Sequence, residues 1–308
     1  MSTPTKLTFY CPYLGREVTD EKTLEHIFSD ALGCPNSYGV SVSKTANGLV
    51  NRGFEQKFLL SSNITRLRQK YHLKGRRGIP DRSVQGTILD GQVKAGAVIK
   101  PNGEQENRFY GATLPETDTT GTILYDPSRP EDMERQRKKI EAEHSGNEVV
   151  LEKTEESIIN EPIVEDQPFS DAEIIQRFVA KVAFAGLLRQ FPEYGQDPVA
   201  SLWREMLFGA NQQGASGAIM AHPTPIWTDA SYFNSIFPGL MEQEHAWAAY
   251  VRPGASALDV TVVLFGGLYS GAYVASTTNK FGIELGAGVS VRCDIGTGQI
   301  HEDTLGPG

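Results

Sequence analysis

Leu24-Glu25-His26-Ile27 places a carboxylate beside an imidazole, and Asn47 follows 21 residues after His26 in Lys44-Thr45-Ala46-Asn47-Gly48. Glu25 and Asn47 would offer hard oxygen ligands to a divalent cation, and His26 would then be free to take a proton from water. Neighbours on a strand point to opposite faces, so Glu25 and His26 can serve one site only at an irregular strand end. Asn51, one helical turn past Asn47, is a weaker third ligand. The competing reading of Glu25-His26 is a partly buried pair satisfied by loop amides.

The elements that must position these residues lie in residues 7–60. Leu7–Tyr10 gives a short apolar start, Gly15–Glu21 a polar turn, and Thr23–Ile27 a strand. A loop through Cys34-Pro35-Asn36-Ser37 leads to Tyr38–Ser43, whose alternating Val and Ser predict a second strand. Lys44–Leu60 then has helical spacing. The order is strand, strand, helix.

This pattern resembles the HNH endonucleases, in particular the branch with a Glu-His-Ile core, a Leu-Gly turn and a Lys-x-x-Asn helix. The match runs over residues 9–60. It comprises Cys11-Pro12-Tyr13-Leu14-Gly15, Thr23–Ile27, Ala31-Leu32-Gly33, and Val42–Gly48 leading to Arg52-Gly53. The resemblance implies a ββα-metal fold with one cation between hairpin and helix. It also implies Glu25 and Asn47 as metal ligands and catalytic partners, His26 as general base, and Mg²⁺ or Mn²⁺ as the ion. The chain departs from members that carry cysteine pairs for a structural zinc, since Leu14 and Ala46 stand at two of those places. No zinc is expected.

Behind this core, Arg66, Arg68, Lys70, Lys74, Arg76, Arg77 and Arg82 form a basic run with the form of a phosphate footprint. It begins in a predicted basic helix, Ile64–His72. The chain of 308 residues has a net charge of −9, but the charge is divided. Residues 1–110 hold 16 Lys+Arg against 10 Asp+Glu, a net of +6, and residues 111–308 hold 13 against 28, a net of −15. An acidic total therefore does not exclude a polyanionic partner such as DNA, because attraction depends on the local field.

Farther on, Asp90-Gly91 and Asn102-Gly103 mark hairpins. Glu131–His144 reads as a solvated helix, and the acidic run Glu152–Asp166 as a linker or exposed arm. Ser170-Asp171-Ala172-Glu173 has the form of a capping box opening an apolar-faced helix that ends near Phe191-Pro192. Ala246–Val251, Leu258–Phe265 and Tyr269–Ser276 predict strands, broken at Arg252-Pro253-Gly254 and Phe265-Gly266-Gly267. Trp203, Trp227 and Trp247 read as core, with Phe191, Phe208 and Phe233. His144, His222, His245 and His301 read as surface or core residues. Cys11, Cys34 and Cys293 are widely spaced and read as reduced thiols.

The expected class is α+β, an N-terminal ββα-metal module followed by a mixed helix-plus-sheet domain. The expected parts are a nuclease core at 1–60, a basic DNA-contacting extension at 61–126, a charged helix and acidic linker at 127–169, and a regulatory or oligomerising domain at 170–308. The expected activity is metal-dependent hydrolysis of DNA phosphodiesters by nicking or cleavage, with defence against phage or other foreign DNA inferred by analogy. The alternatives are a nucleic-acid-binding protein that retains the module without turnover, and a regulatory subunit of a larger defence assembly. No apolar window suits a membrane span or signal peptide, so the expected location is the cytoplasm. Besides DNA, the expected partner is a second copy or another protein, docking through the acidic half.

Overall fold

The computed structural model describes residues 6–88, 93–109, 113–115, 121–123, 130–143, 164–165, 172–209, 230–251, 257–276 and 281–306. The chain forms two compact units, Met1–Ile79 together with Ser170–Gly308, and Pro80–Phe169. Of the divisions expected at 60, 126 and 169, the last coincides with a boundary between the units, whereas those at 60 and 126 do not. Residues 170–308 are not a separate domain, because they share one core with the N-terminal segment.

In the first unit, β1 (Leu7–Cys11) and β2 (Arg16–Asp20) form an antiparallel hairpin across a tight turn at Gly15, whose φ is 67°. Arg16–Asp20 is therefore a strand where a polar turn was expected. β3 (Lys22–His26) pairs antiparallel with β4 (Gly39–Ser43), placing His26 opposite Gly39. A side chain at Gly39 would meet the Glu25 carbonyl at 2.3 Å, so only glycine fits there.

The Ser43 hydroxyl accepts from the Ala46 amide and opens α1 (Lys44–Val50). That helix passes through a π turn, Asn51–Glu55, into α2 (Gln56–Leu60). α3 (Ser62–Lys70) follows the extended residue Ser61. The strand, strand, helix order expected for residues 7–60 is present over residues 22–60, preceded by the β1–β2 hairpin that it did not include.

The second unit contains β5 (Arg82–Ile88), β6 (Val93–Ile99) and β7 (Gln105–Phe109) as an antiparallel meander. Asn102-Gly103 forms its second turn, with Gly103 at φ 85°. β8 (Thr113–Pro115) pairs with β9 (Gly121–Ile123). α4 (Pro130–Glu143) is laced by Arg137, whose guanidinium meets Glu134 at 2.6 Å and Glu141 at 2.5 Å. β10 (Val164–Glu165) adds to β5, so part of the expected linker is a strand.

The first unit resumes with α5 (Ala172–Gln190), buried on all sides from Arg177 to Leu188, as befits a central helix. α6 (Ala200–Phe208) and α7 (Ala230–Ile236) follow. An antiparallel sheet is then built from β11 (Glu244–Val251), β12 (Leu258–Leu264), β13 (Tyr269–Ser276), β14 (Gly288–Asp294) and β15 (Ile300–Leu305), in the order β13-β12-β11-β14-β15. α5 touches β11, β12 and β13 on one side, and β4, the π turn and α2 on another. It is the shared core of the ββα segment and the large sheet.

Gly186 lets α5 approach that sheet, since a side chain there would lie 2.3 Å from the Trp247 indole. The indole N–H donates to the Ala183 carbonyl at 3.2 Å. Phe58 stacks on Phe178 with ring centres 4.0 Å apart, and Phe184 stacks on both Tyr13 and Trp203. Each such buried side chain contributes about 1.5–3 kcal/mol through its apolar area. Trp203, Trp247 and Phe191 are core as expected, and Phe208 and Phe233 pack against it.

Cys34 and Cys293 form a disulfide with Cα atoms 6.3 Å apart, which corrects the expectation of reduced thiols. Cys11 is free and buried, and its sulfur accepts from the Ser43 amide at 3.4 Å. The class is α+β. Among the described residues no helix is long and apolar enough to cross a membrane. Trp227, His144, His222, Asp90-Gly91, Arg252-Pro253-Gly254, the capping residues Ser170 and Asp171, and most of Glu152–Asp166 lie outside the described residues.

Candidate functional site

At the end of β3 the alternation of a regular strand decides where Glu25 and His26 go. Leu24 is exposed, Glu25 is buried at 2% exposure, and His26 is half-buried. The bend that would let both side chains serve one centre is absent, for His26 still pairs in register with Gly39.

Glu25 points at α5, where its carboxylate meets the Lys181 ammonium at 2.6 Å. The same ammonium lies 3.5 Å from the Glu55 carboxylate and donates to the His26 backbone carbonyl at 2.5 Å. Lys181 is wholly buried. Burial raises the Glu25 pKa to about 7, with Glu55 adding to the rise and Lys181 opposing it. Burial works against the charge of Lys181 as well, but the two carboxylates outweigh it and hold the ammonium above the ordinary lysine value.

Asn47 is half-buried on α1, and its side-chain amide donates to the Leu24 carbonyl at 3.2 Å, tying helix to strand. Asn51 is exposed at the start of the π turn. The ligand set expected of Glu25, Asn47 and Asn51 therefore does not fit a divalent cation as it stands. One carboxylate is bound to an ammonium, the amide nitrogen of Asn47 is spent on backbone, and Asn51 faces solvent. Among the described residues no group of three or more His, Cys, Asp or Glu side chains could hold a metal.

His26 has a different neighbourhood. Burial lowers its pKa; Asp30 and Glu55 oppose that shift, while Lys181 and Arg76 reinforce it. The imidazole is thus neutral at pH 7 and able to accept a proton. Asp30 and Arg76, whose charges act on it, both line a cavity of about 400 Å³. The loop Gly33-Cys34-Pro35-Asn36 forms one wall and Lys74-Gly75-Arg76 another. The disulfide fixes the first wall at Cys34. The second is a tight turn closed by paired amide bonds between Gly75 and Gly78, at 2.9 and 3.2 Å. Lys74, Arg76 and the Asn36 amide outnumber the one carboxylate of the lining, Asp30, and could meet an anion such as a phosphate.

The expected basic footprint breaks up. Arg66, Lys74, Arg76 and Arg77 are exposed. Lys70 is exposed too, but pairs with Glu242 at 2.9 Å. Arg68 is buried at 4% exposure, where its guanidinium donates to the carbonyls of Leu59 and Gly78. It braces the basic turn from within and is not a surface contact, which corrects its place in the run. Arg82 belongs to the other compact unit.

Lys181 and Glu55 were missed in the sequence, although Lys181 is the lone charge in the apolar run Phe178–Gly186 and that oddity was a readable signal. His245, read only as surface or core, is core. It is fully buried, stacks on Phe28, accepts from the Phe265 amide at Nδ1 and donates from Nε2 to the Leu32 carbonyl. Burial lowers its pKa to about 4. No protein-family model, curated protein or solved structure matches the chain.

Proposed function

We propose that the unit formed by residues 1–79 and 170–308 acts on the phosphodiester backbone of DNA as an endonuclease, with His26 as general base. What supports this reading is a half-buried imidazole at a strand end, with a pKa lowered by burial, near a cavity lined by Lys74, Arg76 and Asp30. In this scheme the two cations hold a phosphate and offset charge that develops on its oxygens. His26 takes a proton from the attacking water and returns it to the departing 3′ oxygen. Because Glu25 is held by Lys181, no step is routed through a metal ion. A defence role and a second copy as partner are parts of the proposal that rest on the resemblance alone. The cytoplasm is our proposed location, and the Cys34–Cys293 bond tests it, since a reducing compartment keeps such thiols apart.

One observation favours a second reading, DNA binding without turnover. The carboxylate expected to hold the catalytic cation is engaged elsewhere. Plasmid nicking and DNA binding, measured side by side for the parent, His26→Ala and Asn47→Ala with and without Mg²⁺ or Mn²⁺, separate the two. The nuclease reading predicts nicking that His26→Ala slows by on the order of 100-fold while binding persists. Binding with no nicking by the parent under any condition selects the second reading, and equal nicking by parent and His26→Ala removes His26 from the chemistry.

A further inference from the structure

One wall of the cavity near His26 is a loop running from Leu32 to Tyr38, both buried. Leu32 is tied down by its carbonyl, which accepts from His245 Nε2 at 3.3 Å. Tyr38 is tied down by the Arg189 guanidinium, 4.3 Å from the centre of its ring. Between them Asn36 and Ser37 are exposed, and Gly33 and Pro35 are half-buried. Cys34 is buried at 5% exposure, and its bond to Cys293 fastens the middle of the loop to β14.

The two ends of this bond are held unequally. Cys293 is wholly buried on β14, paired with His245 of β11 on one side and with Ile300 of β15 on the other. Those ladders keep the strand in place whatever its sulfur does. Cys34 lies outside any strand and lines the cavity together with Lys74 and Arg76. Cations near a sulfur favour thiolate, both of an incoming thiol and of a released cysteine. A bond that opens onto a cavity is accessible to thiol attack, and in a reducing compartment disulfides are commonly transient and redox-sensing.

We propose that Cys34–Cys293 is a redox latch on the cavity wall, opened in the folded chain by a dithiol. One thiolate of the dithiol attacks the Cys34 sulfur from the cavity, the S–S bond breaks, and Cys293 leaves as a thiolate that takes up a proton. The second thiolate attacks the reductant sulfur now joined to Cys34, closing the reductant's own disulfide and releasing Cys34, which is protonated in turn. Two electrons and two protons thus pass from the dithiol to the protein. With the bond open, Cys34-Pro35-Asn36-Ser37 comes away from the sheet and the cavity loses the Asn36 side of its lining. That this weakens DNA binding rests on the reading of the cavity as a phosphate site; the latch itself does not.

The test uses the full chain in native buffer with dithiothreitol as the dithiol. Thiols counted after quenching number one per chain before reduction, that of Cys11, and three after it. Alkylation of the reduced, folded chain by iodoacetamide is followed cysteine by cysteine. Cys34 reacts faster than Cys11 and Cys293, both 0% exposed, by on the order of tenfold or more. A count that stays at one until the chain unfolds overturns the proposal, as does labelling of all three cysteines at a common rate. Cys34→Ser gives the open state without reductant. In it the amides of Gly33 and Tyr38, which donate to the Asp30 and Pro35 carbonyls, exchange with solvent faster than in the oxidised parent, and unchanged exchange overturns the latch. Binding of a short DNA duplex is measured in parallel and weakens on reduction by on the order of fivefold, the worth of one hydrogen bond. Fast labelling of Cys34 with equal DNA binding in both states upholds the latch and removes the phosphate from this cavity.

Discussion

Replacing Lys181 by methionine keeps the volume of the side chain roughly intact and deletes one charge. The side chains of Lys181 and Glu25 are 0% and 3% exposed, so water cannot take over the contact at 2.6 Å. Removing one partner of such a pair costs about 3–5 kcal/mol, because the remaining charge is left buried and uncompensated. Glu55 and the His26 carbonyl lose the same donor, which places the loss toward the upper part of that range.

The loss carries a pH signature. Glu25 already has a folded pKa raised to about 7 from 4.5, so the folded parent binds more protons than the unfolded chain between those values, and this contribution fades as pH rises through 7. Without the ammonium the Glu25 carboxyl titrates higher still. The deficit of Lys181→Met is therefore largest above pH 8 and shrinks toward pH 5. Urea unfolding at several pH values reads this directly, with an unchanged slope against urea confirming a common unfolded state. A deficit under about 1 kcal/mol at pH 8, or one independent of pH, would refute the argument that the pair is buried and necessary.

His245 gives the opposite sign. Its folded pKa of about 4 lies below the ordinary 6.5, so stability is present above 6.5 and is lost as pH falls toward 4, by about 3 kcal/mol at most. Since Glu25 acts in the reverse direction over much of that window, the term is read from the difference between the parent and His245→Gln. A difference that does not change with pH would contradict it. Reducing the Cys34–Cys293 bond, which closes 259 residues of separation, lowers stability by about 2–5 kcal/mol; no change on adding reductant would mean the bond does not constrain the unfolded chain. Charge reversal of Arg76 and Arg77, both exposed, weakens DNA binding and flattens its salt dependence, and salt-insensitive binding by the parent would count against a phosphate contact.

What the sequence made legible is local. The Val-Ser alternation of β4, the helical spacing of Lys44–Leu60, the apolar face of α5 and the apolar runs of β11 and β12 were all readable and survive in the fold. Arg16–Asp20 and Ile300–Leu305 did not read as strands, because they sit at sheet edges with much of each strand exposed and few apolar residues to alternate. The core shared by residues 1–79 and 170–308 was hidden for another reason. Packing of α5 against β4, and the pairing of Cys34 with Cys293, join residues too far apart for any spacing rule to connect. At the site, Glu25-His26 was legible as chemistry but not as geometry. Alternation along β3 sends the carboxylate to Lys181 and leaves the imidazole half-buried off that contact, and the partner that decides this lies 156 residues away from Glu25. Arg68 is the same lesson on the basic run, a cation drawn inside by carbonyls of Leu59 and Gly78.

The central claim is that His26 is the base for phosphodiester hydrolysis, and the pH dependence of plasmid nicking tests it most directly. The lowered pKa of His26 predicts a rate that rises with pH and levels off below 6.5, the ordinary histidine value. His26→Ala is predicted to lose that limb and on the order of 100-fold in rate while binding DNA as before. A variant that nicks at the parent's rate with the parent's pH profile would contradict the account.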